Sequence, residues 1–141
     1  MPLYEDSVKP ICEKIQSLIE AKGFTVVFGR LERLSDEFPY AVIIPTEYGL
    51  QNAVLGGRKM HVVIRLEVMV LLKLLNPKVW FDDMSEPVLD VADAILANRT
   101  LSGLCYHCIP DAVVPERITT GQKTYYGGII RVRIEADYTV A

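Results

Sequence analysis

A chain of 141 residues, 50% hydrophobic and 23% charged, fits one domain and is too apolar for intrinsic disorder. A formal net charge of −3, with no basic run beyond the pair Arg58-Lys59, argues against non-specific nucleic-acid binding, which needs clustered Lys and Arg. Three cysteines, Cys12, Cys105 and Cys108, are too few and odd in number for a disulfide framework and suit a reducing compartment.

The start, Met1-Pro2-Leu3-Tyr4-Glu5-Asp6, carries neither a basic nor an apolar leader pattern, so no signal peptide is expected. A first helix is predicted over residues 5–22. Val8, Ile11, Ile15, Leu18, Ile19 and Lys22 follow the 3.6-residue period. Pro10 falls in its first turn and Gly23 supplies a left-handed C-cap. Residues 24–31 read as a strand with a candidate bulge at Gly29, and Ser35-Asp36-Glu37 as a polar turn. Residues 39–46 form a second strand, apolar on both faces and hence central.

Residues 47–59 read as a long Gly-containing hairpin loop, a length at which loops tend to be functional. The third strand, 60–73, alternates strictly: Met60, Val62, Ile64, Leu66, Val68, Val70 and Leu72 on one face, His61, Val63, Arg65, Glu67, Met69, Leu71 and Lys73 on the other. This most apolar stretch contains Arg65 and Glu67 and is too short to span a bilayer as a helix. A helix over 84–97 follows, with Asp83 and Glu86 at capping-box spacing and Pro87 in the first turn. Residues 104–109 form a short strand and 112–118 an extended segment broken by Pro115. Residues 119–123 make a turn, and 125–140 form the last strand, with Arg131, Arg133, Glu135, Asp137 and Thr139 on its polar face. The expectation is a single α+β domain in the order α-β-β-β-α-β-β. It would have a mostly antiparallel, twisted sheet of about four to six strands and both helices on one face.

No catalytic constellation emerges. Cys105 and Cys108 have CxxC spacing, but in an extended strand they would point to opposite faces and could share no metal. His61 and His107 have no nucleophile motif beside them. Gly56-Gly57-Arg58-Lys59 precedes a strand where a phosphate-binding loop precedes a helix. Asp82, Asp83 and Glu86 are what a helix N-terminus attracts by itself. Hence no catalytic residue, cofactor or metal is expected. The apolar residues Val63, Met69, Leu71 and Ile129, set among charges on the polar strand faces, suggest a subunit interface.

The amphipathic first helix, the hairpin before "MHVVIRLEVMVLL", the helix "MSEPVLDVADAILANRTLSG" and the closing strand "YYGGIIRVRIEADYTV" resemble the tail-terminator (tail-completion) and neck proteins of long-tailed bacteriophages. The resemblance implies a non-enzymatic structural protein of the virion tail or neck, assembled in the host cytoplasm. It implies a homo-oligomeric, commonly hexameric ring that caps the tail tube, ends elongation and joins the head-side connector. DNA would pass through the lumen without sequence-specific contact, and no membrane is involved. On position, Tyr48, Gln51, Asn52, Arg58 and Lys59 of the hairpin and Arg65, Glu67, Arg131, Arg133 and Glu135 of the strands are the candidate assembly contacts. Other readings are a head–tail connector or tube subunit, and a small ligand-binding α+β protein or enzyme.

Overall fold

The computed structural model describes residues 4–28, 40–52, 59–72, 80–120 and 123–139. A wide helical turn over Tyr4–Val8 leads into helix α1, Lys9–Glu20, with Pro10 in its first turn, where a missing backbone N–H costs nothing. Ile11, Cys12, Ile15 and Ile19 form its buried stripe. Gly23 closes the exit at φ 91°, a conformation that favours glycine.

The strands are β1 (Thr25–Phe28), β2 (Tyr40–Asn52), β3 (Lys59–Leu72), β4 (His107–Thr120) and β5 (Lys123–Thr139), and helix α2 spans Trp80–Leu96. They make one five-stranded sheet in the order β1-β2-β3-β5-β4. Every neighbouring pair is antiparallel except β1 with β2. The expected α+β order and the two helices on one side of the sheet are present. β3 and β4 both run antiparallel to β5, so they are parallel to each other, and α2 is the crossover between them. The last strand then inserts between β3 and β4.

The even positions of β3 and β5 point at the helices and are nearly all buried, from Val62 to Leu72 and from Ile130 to Ala136. They meet Ile11, Ile15 and Ile19 of α1 and Val88, Val91 and Ile95 of α2. Fully burying each such side chain contributes about 1.5–3 kcal/mol, so this layer dominates the folding energy. α2 lies over β4 and β5, while α1 packs beside α2 and β1.

Several sequence expectations shift. The loop expected from Glu47 is strand as far as Asn52, paired with β3 from Glu47↔Arg65 to Asn52↔Met60. A bulge between Pro45 and Glu47 breaks the alternation, and Thr46 Oγ1 donates to the Arg65 carbonyl there, 3.1 Å away. Glycine and amide residues hid this strand, and pairing with β3 overrides their low propensity. α2 begins at Trp80, so Asp83 lies inside the helix and Pro87 in its interior. Acidic residues suit a cap and a first turn alike, which made the start ambiguous.

The short strand and proline-broken segment expected over 104–118 are one strand, His107–Thr120, preceded by a turn. β4 is an edge strand, where a proline's missing donor can face away from the ladder. The turn before it holds Leu101, Ser102 and Gly103 at φ 49°, 61° and 89°. Leu101 accepts that left-handed strain because its side chain is fully buried in the core. The expected bulge at Gly29 and the turn at Ser35-Asp36-Glu37 lie outside the described residues.

Candidate assembly surface

The face of the sheet opposite the helices is built from alternate residues of four strands. Across it run the rows Glu47–Arg65–Arg133–Ile109 and Val63–Glu135–His107, with Glu67 beside Arg131. Arg65 Nε lies 3.5 Å from Glu47 Oε2, and Arg131 Nε lies 3.9 Å from Glu67 Oε2. Both arginines are more than a third exposed, so each pair contributes at most about 1 kcal/mol.

One end of this face is apolar. Tyr40, Val42 and Leu71 are buried there in a second small cluster, with Ile44 and Met69 packed on it. Burial within the chain accounts for Leu71, which leaves the interface argument to the half-buried Met69, Val63 and Ile129. Val63 lies beside Arg65 and opposite Glu135, whereas Ile129 lies opposite Met69 and Val114.

The other end holds a polar cluster. Glu135 faces both histidines: His61 Nε2 is 3.7 Å from Oε1, and His107 Nε2 pairs with Oε2. His61 Nδ1 lies 3.4 Å from Asp137 Oδ1, and the Tyr106 hydroxyl donates to Asp137 Oδ2. The Tyr106 ring stacks on His61, centroids 6.2 Å apart. The hydrogen bond to Asp137 raises the Tyr106 pKa, because ionisation would remove the donated proton. The Tyr106 amide donates to the Glu135 carbonyl at 2.8 Å. Together these contacts clasp the turn before β4 onto β5. Among the described residues no group of His, Cys, Asp and Glu has the geometry to hold a metal ion.

The cysteines are free and buried. Cys105 precedes β4, so the extended-strand argument that set it opposite Cys108 does not apply; both face the main core. Burial pushes the Cys12 and Cys105 thiols up to about 11. Cys108 reaches about 12, from burial first and the neighbouring Cys105 second.

The structure thus brings Arg65, Glu67, Arg131, Arg133 and Glu135 together on one face. It does not bring Tyr48 to them. Tyr48 pairs with Ile64, on the helix side, where it lines an open groove with Tyr4, Val8, Cys12, Phe28 and Pro45. Partial burial raises the Tyr48 pKa, with Cys12 and Tyr4 adding to it. Gln51 and Asn52 register against His61 and Met60, and Lys59 against Thr139. Arg58 lies outside the described residues. Sequence reasoning treated His61 and His107 as isolated because the residues they meet are far apart in the chain. Only the insertion of β5 between β3 and β4 unites them.

Comparison of the chain with protein-family models finds no match, and a search of curated proteins finds none either.

Proposed function

We propose that this chain is a non-enzymatic structural protein of a phage tail or neck, forming a ring that caps the tail tube and offers a surface to the head-side connector. The reading begins from the resemblance in element order and closing strand. The observation that carries it is the two-faced sheet. Both helices cover one side, and the other presents a mixed charged and apolar surface built by β3, β5 and their neighbours. Such a surface, with half-buried Val63 beside Arg65 and opposite Glu135, and half-buried Ile129 opposite Met69, suits a polar subunit contact.

A tube subunit is the runner-up within the same class. The open sheet, with β1 and β4 at its edges and helices on one face, fits a closed β-sandwich less well. The test is tube assembly in vitro. Added at the start of polymerisation, the protein is expected to shorten tubes of the cognate tube subunit and to appear by electron microscopy at one end. Unchanged tube lengths with bare ends would refute the capping role, and self-assembly into long tubes would favour the runner-up.

A further inference from the structure

This inference rests on the ring reading and adds a second subunit contact to the charged sheet face. A closed ring needs two different patches on every subunit, one to give and one to receive. The chain carries such a pair towards the two edges of its sheet.

The receiving patch is the open groove where α1 approaches β1 and β2. Buried Val8 and Cys12 form its floor, and Tyr4, Phe28, Pro45 and Tyr48 line it. Leu50 follows Tyr48 on the same face of β2. Tyr4, Phe28, Tyr48 and Leu50 each keep between 43% and 54% of their surface in solvent. Half the surface of three aromatic side chains is about 300 Å². That is more than a third of the roughly 800 Å² that a standard interface takes from each partner. Lys9 and Glu13 stand on the rim. Glu5 holds Lys9 at 3.6 Å, whereas Glu13 makes no ion pair among the described residues. Lys14, the next residue, lies about 100° further round the helix.

The giving patch is the turn between α2 and β4. Leu96 ends the helix, Arg99 and Leu104 follow in the turn, and all three are exposed. The turn is held by its own hydrogen bonds: the Leu101 amide donates to the Asn98 carbonyl and the Cys105 amide to that of Thr100. The Cys105 thiol donates to the Arg99 carbonyl at 3.6 Å, so the Arg99 backbone is fixed, while its guanidinium makes no ion pair among the described residues. Strands β3 and β5 lie between this turn and the groove.

We propose that the two patches meet between neighbouring copies: Leu96 and Leu104 of one copy cover the aromatic groove of the next, with Arg99 laid against the Tyr48 ring and paired with Glu13. A planar guanidinium can stack on an aromatic face and bind a carboxylate at once. Tyrosine and arginine are also the side chains that most often dominate contact energies. A second copy is the occupant because one short segment of this chain brings exposed leucines, a cation for Glu13 and the head-to-tail relation together.

The experiment is sedimentation velocity on the wild type, on Glu13→Arg, on Arg99→Glu and on an equimolar mixture of the two variants, with circular dichroism as the folding control. If the wild type assembles only on tube ends, co-sedimentation with tubes of a tail-tube subunit is the readout. Each variant alone sets like charges against each other across the contact and is expected to associate at least tenfold more weakly than the wild type. In the mixture each variant meets the opposite charge on the other at both patches, so assembly returns with the two alternating. Tyr48→Ser, which removes the ring, is expected to weaken association by a similar factor. Wild-type association by either charge variant, or a mixture no stronger than its parts, overturns the pairing and leaves a ring built on the sheet face. A wild type that stays monomeric even with tube ends present overturns both the pairing and the ring. Loss of tube binding by Tyr48→Ser with self-association intact gives the groove to the tube subunit and equally overturns the pairing.

Discussion

Gly127 of β5 registers against Leu71 of β3. A Cβ placed there would lie 1.8 Å from the Val70 carbonyl oxygen, and one at Gly128 would lie 3.1 Å from Val88 Cγ1 on α2. The first is a collision with backbone, which cannot move aside without breaking the ladder. Gly127→Ala is therefore expected to destabilise the fold by about 1–3 kcal/mol or more, measured by urea denaturation. The buried thiols give a second test at this scale. Their raised pKa values mean that the folded chain holds protons that the unfolded chain releases from about pH 9 upward. The stability they contribute is fully present below that value and is lost as pH rises towards about 11 to 12. Alkylation at pH 8 should leave all three cysteines unmodified in the native protein and modify all three in denaturant. Rapid native labelling of Cys108 would contradict its place in the core.

At the scale of elements, the long alternating strands were legible because period-two patterning survives wherever one face is buried. Residues 60–72 and 130–138 show this directly. What was not legible had local causes. Gly49, Gln51 and Asn52 carry weak strand propensity, so the distal half of β2 read as loop. Pro110 and Pro115 split β4, although an edge strand tolerates them. Pro87 was expected in a first turn and lies inside α2, where it removes one helical donor. Pro87→Ala should accordingly raise stability by about 1–3 kcal/mol, read as a higher thermal midpoint. An unchanged or lower midpoint would mean that packing of the proline ring outweighs the restored hydrogen bond.

At the scale of the molecule, the charged residues of the candidate site could be named from the sequence because they alternate with the core. Their company could not. His61, His107, Tyr106, Glu135 and Asp137 meet only through the strand order β3-β5-β4, which no local pattern encodes. The same topology separates Tyr48 from the arginines by the thickness of the sheet. A helix-covered face and a bare charged face on one domain form a polar building block, and that is the basis of the assembly reading. Native mass spectrometry of the chain, alone and with a tail-tube subunit, tests that reading most directly. The account predicts a closed homo-oligomer of single stoichiometry, formed in solution or on tube ends. A chain that stays strictly monomeric at high concentration and ignores tube ends would contradict it.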